Sequence, residues 1–269
     1  MIVFPNAKIN IGLNIINRRP DAYHNIETIF YPVAIMDALE VIDSQLLSFA
    51  SSGLAIPGDP DHNLCLKAYH LISKDFKLPP VQIHLHKHIP IGAGLGGGSA
   101  DASFFIKLIN EKFNLGLNKG TMEEYASQLG SDCSFFIQNK PVFAFERGDK
   151  FEPVNIDLSA YYIVLVMPPI QISTAEAYEG ISPGKPPKSL TDLVKLPVEE
   201  WRSLISNAFE ETVGIKYPVI ALIKEALYKN GALYASMSGS GSSVYGIFKK
   251  EVKLPELEQN NVVFYGVQV

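Results

Sequence analysis

Apolar residues fall on every second position of "KINIGLNII", where Ile9, Ile11, Leu13 and Ile15 alternate with other residues, and that period of two predicts a strand. "YHNIETIFYPVAIMDALEVI" predicts further strands, interrupted at Pro32 and Asp37. "VQIHLHKHI" alternates strictly and predicts another. The period changes in "NLCLKAYHLISKDF", where Leu64, Ala68, Leu71 and Ile72 share one helical face and Asn63 suits an N-cap. "SADASFFIKLINEKF" predicts a second helix, with Asn114 and Gly116 near its stop. "TMEEYASQLG" predicts a third, with Thr121 and Glu124 in a capping-box pattern and Gly130 at its end. "KPVFAFERGDKFEPV" reads as a hairpin closed around Arg147-Gly148-Asp149. A buried strand, "YYIVLVMPP", opens a second block, followed by the loop "ISTAEAYEG" and a Pro/Gly/Lys-rich stretch, "SPGKPPKS". Helices around 199–213 and 217–230 come next. "ALYASMSGSGSSVYGIF" then reads as a strand, a glycine turn and another strand or helix start, and "VVFYGVQV" as a final strand. Strands and helices are grouped rather than strictly alternating, which predicts an α+β chain. The change of block places a domain boundary near residue 156, giving 1–156 and 157–269.

Composition narrows the class. A chain of 269 residues with 47% hydrophobic and 19% charged residues can fill one large core or two medium ones and is not disordered. The net charge of -5 argues against a nucleic-acid partner, although a local pocket of amides and cations can still hold a polyphosphate. Cys65 and Cys133 are too few for a disulfide framework or a zinc site, and reduced thiols in a cytoplasmic protein are the simple reading. "MIVFPNAKIN" lacks a basic region followed by a long apolar run, so no signal peptide is expected. No window approaches the roughly eighteen apolar residues of a membrane span.

One segment carries the chemistry. Between Ile91 and Ser99, "GAGLGGG" holds five glycines. Without a Cβ, such a run lets backbone N–H groups approach a ligand and adopt positive φ. The helix expected behind it adds a partial positive charge, and together they suit phosphate. A mere surface turn would waste roughly 0.5–1 kcal/mol for each ordered glycine. Two familiar phosphate loops fail on context. Gly92-x-x-x-x-Gly97 begins like a Walker A loop, but Gly98 stands where lysine is required. Gly92-x-Gly94-x-x-Gly97 fits the dinucleotide pattern, yet "LGLNKGTMEEYAS" follows where a strand ending in an acidic residue is needed.

The longer string Pro-x-Gly-x-Gly-Leu-Gly-Gly-Gly-Ser-Ala resembles the ATP-binding motif of the GHMP kinases, carried here by Pro90, Gly92, Gly94, Leu95, Gly96, Gly97, Gly98 and Ser99. The family's N-terminal lysine motif is matched by "NAKINIGLNI", with Lys8. Its C-terminal glycine motif is matched by Gly239, Ser240 and Gly241 in "MSGSGSSVYGIF". The resemblance implies a two-domain GHMP kinase fold, with an N-terminal ribosomal-protein-S5-like domain and a C-terminal ferredoxin-like domain. It also implies ATP as phosphoryl donor with Mg2+. "RRPDAYHNIETIF" narrows the likeness to the branch that phosphorylates the 2-hydroxyl of a cytidine diphosphate-linked methylerythritol in the non-mevalonate isoprenoid route. Another GHMP kinase, of homoserine or mevalonate type, and a nucleotide-binding module without catalysis are the alternatives. Ala22 stands where this branch usually has glycine, and a positive φ there would strain an alanine.

Residue roles follow. Asp132, between a helix and an apolar run, can accept a proton at a cleft or can be an N-cap or turn aspartate; the resemblance makes it the catalytic base. The resemblance also brings Lys8 to it, holding it ionised. Tyr23 and His24 can recognise a pyrimidine by stacking and by hydrogen bonding, and the resemblance makes that pyrimidine cytosine. Tyr178 is then the aromatic on the other face of the base, with an ordinary half-buried tyrosine as the bland alternative. Thr174 and Asn10 are candidate substrate contacts, and Ser99 is the protein-side candidate for the metal. Gly97→Val is expected to weaken ATP binding more than substrate binding, through a Cβ that intrudes on the phosphates. Asp101 has a ready explanation as a partner of the helix dipole. His84, His86 and His88 share one strand face, read as solvated, with Lys87 on the other. The small-molecule substrate, no nucleic acid, no membrane, and a monomer or weak homodimer complete the expectations.

Overall fold

A computed structural model describes residues 1–268. The first half contains strands β1 (Ile2–Val3), β2 (Asn6–Arg18), β3 (His24–Met36), β4 (Ala38–Asp43) and β5 (Ser48–Gly53), helix α1 (Leu64–Ile72) and strand β6 (Val81–Lys87). Helices α2 (Gly97–Lys112), α3 (Lys119–Ser127) and α4 (Cys133–Gln138) follow, then the β7 (Val142–Glu146) and β8 (Lys150–Pro153) hairpin. The remainder runs β9 (Tyr162–Met167), α5 (Thr174–Ala177), α6 (Leu190–Leu193), α7 (Val198–Leu204), α8 (Phe209–Lys216) and α9 (Pro218–Lys229). It ends β10 (Tyr234–Met237), β11 (Val244–Phe248), α10 (Pro255–Glu258) and β12 (Val262–Tyr265). The chain is α+β, and its contacts gather into two compact units. The first comprises residues 1–7, 35–91 and 96–140; the second comprises 8–34, 92–95 and, of the described residues, 141–268.

In the first unit a sheet of order β1-β4-β6-β5 turns one face to helices. The alternation read in "VQIHLHK" is the cause: Val81, Ile83 and Leu85 are buried, while Gln82 and His86 are exposed. Leu39 and Val41 of β4 extend that apolar face. It packs with Cys65, Leu66, Tyr69 and Ile72 of α1 and Phe105, Ile106 and Ile109 of α2. Burying each large side chain of this kind contributes about 1.5–3 kcal/mol, which holds α2, and with it the glycine loop's end, against the sheet.

The second unit contains sheets of order β2-β3-β7-β8 and β10-β11-β9-β12. Leu13 and Ile15 of β2 share a core with Val164, Val166, Phe209, Ile223, Leu227 and Met237. The β7–β8 hairpin turns at 147–149, as its sequence predicts.

Several local expectations are refined. Asn63 caps α1, accepting from Cys65 N–H (2.8 Å). The third helix starts earlier than "TMEE" suggests, because Asn118 rather than Thr121 is its cap and accepts from Thr121 N–H (3.0 Å); it ends at Ser127, before Gly130. Pro32 does not interrupt β3. It lies past Phe30, the last residue paired with β7, so that edge asks no ladder bond of it. The helix expected over 199–213 is two, because Asn207 leaves the helical path for tertiary bonds described below. "ISTAEAYEG" contains the short α5, "VYGIF" is a strand, and the last strand ends at Tyr265; Val269 lies outside the described residues.

Candidate active site

In the second unit, three sequence motifs meet at one point. Lys8 and Asn10 project from the same face of β2 and are both 3% exposed. Lys8 Nζ donates to Asn10 Oδ1 (2.6 Å) and to the carbonyl of Gly94 (3.2 Å), and lies over the ring of Phe30, 4.6 Å from its centroid. Ser238, at the head of the C-terminal glycine turn, donates from Oγ to the same Gly94 carbonyl (2.8 Å) and accepts from Asn10 N–H (3.1 Å). Gly94 has φ +76, and a Cβ there would stand 1.9 Å from the Ser238 carbonyl oxygen, so only glycine fits. Asn10 Nδ2 donates to Thr28 Oγ1 (3.0 Å), and Thr28 donates in turn to the Gly12 carbonyl (2.6 Å). Asn10 thus holds Lys8 through one end of its amide and is itself held through the other.

The turn bearing Gly239, Ser240 and Gly241 is anchored by Asn207. Its Nδ2 donates to the carbonyls of Met237 and Gly239 (2.8 Å each), and its Oδ1 caps Phe209 N–H (3.0 Å). Sequence reasoning missed Asn207, Thr28 and Ser238. They are common polar residues, and apart from the cap on Phe209 their roles come from partners between 16 and 228 positions away.

The aromatic residues form a second group in this unit. The rings of His24 and Tyr178 stack, with centroids 4.7 Å apart and planes 14° from parallel, and Phe209 meets Tyr178 edge-on at 4.8 Å. Tyr23 is 55% exposed and carries the Arg147 guanidinium over its ring, 4.1 Å from the centroid. This cation–π contact joins the hairpin tip to the turn that presents Tyr23. Thr174 is exposed at the start of α5. The turn has its own strain, since Ala22 has φ +66.

In the first unit the glycine loop runs into α2. Gly96 is the N-cap, left-handed at φ +70, and Gly97, Gly98 and Ser99 form the first turn. Gly96 has no side chain with which to cap this end, and first-turn N–H groups point out of a helix along its axis, as an anion site requires. A Cβ at Gly98 would meet only Leu64 Cδ1, at 3.8 Å. At Gly97 it would meet Ile89 Cγ2 and Lys87 Nζ, each at 2.9 Å. The reason expected for glycine at 97 is therefore corrected: its Cβ would strike the protein beneath the loop. Pro90 and Leu95 are buried, and Gly92 is exposed at φ +68.

Asp132 occupies the N-cap position of α4, but its side chain makes no capping hydrogen bond. It therefore does not act as a helix cap, although it does lie in the turn before α4. It is half-buried and accepts from Ser131 Oγ (3.3 Å). Cys133 next to it is buried, and burial pushes its thiol up to about 11. Ser103 Oγ lies 2.8 Å from the Ser99 carbonyl oxygen and 2.6 Å from that of Cys133, tying α2 to α4.

Asp101 is not merely a dipole partner. It is buried and pairs with Lys87, which also pairs with Asp37. Burial and the neighbouring Asp37 raise the Asp101 carboxyl, against the pull of Lys87, to about 7. The sequence held a signal here: Lys87 falls in register with Val81, Ile83 and Leu85 on the apolar face of β6. His84 Nε2 and His86 Nδ1 both contact Ser52 Oγ (3.1 and 3.0 Å), and no cluster of three metal-ligating side chains occurs among the described residues.

Comparison with known proteins adds ancestry to this geometry. Residues 63–140 match the GHMP kinases N terminal domain, and residues 189–261 match the GHMP kinases C terminal domain. The chain is 53% identical over 262 residues to a 4-diphosphocytidyl-2-C-methyl-D-erythritol kinase of Bacteroides fragilis, covering 96% of both chains. It is 51% identical over 268 residues to the enzyme of the same name from Bacteroides thetaiotaomicron, covering 98% of both. The crystal structure of a 4-(cytidine 5'-diphospho)-2C-methyl-D-erythritol kinase superposes with a TM-score of 0.82 at 24% identity, covering 99% of this chain and 98% of that one. Mevalonate kinase of Methanococcus jannaschii superposes at 0.71 with 14% identity, covering 100% and 98%. The expected α+β GHMP fold is borne out, and the chain belongs to the 4-diphosphocytidyl-2-C-methyl-D-erythritol kinase family of GHMP kinases.

Proposed function

We propose that this chain transfers the γ-phosphoryl group of ATP to the 2-hydroxyl of 4-diphosphocytidyl-2-C-methyl-D-erythritol, a step of isoprenoid precursor synthesis. The observation that carries the reading is the junction of Lys8, Gly94 and Ser238, where the lysine strand, the glycine loop and the C-terminal glycine turn are bonded together. The identity of about half the chain with kinases of that name supports the choice of substrate.

In the reaction, an O–P bond forms at the alcohol oxygen, the bond between the γ-phosphorus and the β-bridging oxygen breaks, and ADP leaves. Catalysis of this kind is mostly alignment and charge neutralisation. The amides of the 92–98 segment and the start of α2 bind the phosphates. Asp132 takes the alcohol proton, and Lys8, held by Asn10, supplies positive charge in support. Tyr23, His24 and Tyr178 recognise cytosine, and Thr174 adds a substrate contact. A Mg2+ ion bound with ATP would supply charge neutralisation at the phosphates, and Ser99 is the protein side chain that would contact it. No group of three metal-ligating side chains joins it among the described residues, which would suit an ion held chiefly by phosphates and water.

The test is ADP release from purified protein with this alcohol, set beside mevalonate and homoserine. Turnover is expected only with the cytidylylated alcohol. Asp132→Asn should lower kcat by about 10²–10⁴-fold with ATP affinity little changed. Good turnover with mevalonate or homoserine instead, or full activity of the Asp132 variant, would reject the assignment.

A further inference from the structure

Beneath the start of α2 lies a group of charges that no step above uses. Lys87 ends β6, Asp37 fills the one-residue gap between β3 and β4, and Asp101 sits in the second turn of α2. Their exposures are 3%, 1% and 3%. Lys87 Nζ pairs with Asp37 Oδ2 and, at 2.7 Å, with Asp101 Oδ2. The other Asp37 oxygen accepts the N–H groups of His88 (2.6 Å) and Ile89 (2.8 Å). One carboxylate therefore grips the backbone just before the glycine loop. One ammonium ties that carboxylate to the helix just after it.

Apolar side chains would hold the sheet to the helix at lower cost. Each buried ion loses several kcal/mol of hydration, and Asp101 Oδ1 is buried without a hydrogen-bond partner. What an ionic trio adds over an apolar one is direction: ion pairs and hydrogen bonds fix distances and angles that packing leaves looser. Gly97 fits this arrangement, because a Cβ there would stand 2.9 Å from Lys87 Nζ. The glycine run is flexible by composition, so its amides face an anion at low entropic cost only if its two ends are fixed.

We propose that Asp37, Lys87 and Asp101 are positioning residues that hold both ends of the glycine loop in the arrangement that binds the nucleotide's phosphates, with Lys87 acting from beneath the loop. This rests on the reading of the loop as the phosphate site.

The experiment is calorimetric titration of ATP, and separately of the cytidylylated alcohol, into wild type, Lys87→Met, Asp101→Asn and the neutral triple variant Asp37→Asn/Lys87→Met/Asp101→Asn. Steady-state KM values for both substrates accompany the titrations. Lys87→Met is expected to weaken ATP binding at least tenfold, with alcohol affinity within twofold of wild type. The triple variant has no unpaired buried charge, so it keeps the test decisive if Lys87→Met does not fold. It should show the same selective loss, and KM for ATP should rise in step. A merely structural role would lower the active fraction and kcat while leaving KM for ATP unmoved. Wild-type ATP affinity in the triple variant, or equal losses for both ligands, would overturn the proposal. Failure of the wild type itself to bind ATP would instead overturn the reading of the loop.

Discussion

Ala22 has φ +66 in an exposed turn closed by Arg19 N–H to the Tyr23 carbonyl (2.8 Å). An L-residue with a Cβ loses roughly 1–2 kcal/mol in this region, and glycine returns part of that through the entropy of the unfolded chain. Ala22→Gly should therefore raise stability by about 0.5–1 kcal/mol, read as a higher urea midpoint at unchanged m-value. A lower midpoint would contradict it. This strain was legible in "RRPDAYH" only through the resemblance to a family branch that usually has glycine at that position. The buried partners of Lys87 were not: the alternation of β6 puts the lysine on the core face, but nothing nearby names Asp37, 50 positions away. Asn10 was legible as a neighbour of Lys8, whereas its bond to Thr28 required the pairing of β2 with β3.

At the scale of elements, the start of α2 separates two kinds of glycine. Gly98 faces open space, with Leu64 Cδ1 at 3.8 Å as the only neighbour a Cβ would meet, and it lies inside a helix, where alanine is favoured by about 1 kcal/mol. Gly98→Ala should thus keep or raise thermal stability while weakening ATP binding tenfold or more, if first-turn amides meet the phosphates. Undiminished ATP affinity in calorimetry would refute that contact. Gly97→Ala is no substitute, because its clash with Ile89 and Lys87 disturbs the fold as well as the ligand. Elements with local causes were readable in the sequence: the Asn63 cap, the 147–149 hairpin and the strand over 81–87. The split of the 199–213 helix was not, because it follows from Asn207 bonding to strand β10 and the glycine turn, some 30 positions on.

For the whole molecule, chain order and compactness part company. The second unit draws residues 8–34 and 92–95 together with the described residues after 140. Leu13, Ile15 and Ile26 bury against Val164, Phe209 and Met237, all from the C-terminal half. A fragment ending at residue 156 would leave those apolar positions of β2 and β3 without their partners. It is expected to lack cooperative unfolding by circular dichroism; a sharp two-state transition in that fragment would count against this packing account. The sequence announced the three motifs that meet at Gly94 and Ser238, 144 positions apart, but only the fold brings them into hydrogen-bond contact. Both cysteines are fully buried, and the thiol adjoining Asp132 stays protonated at neutral pH. Electrophilic inhibitors designed to capture a cysteine beside the presumed base would find no thiolate to react with. Compounds aimed at that cysteine would have only reversible contacts from which to gain residence time.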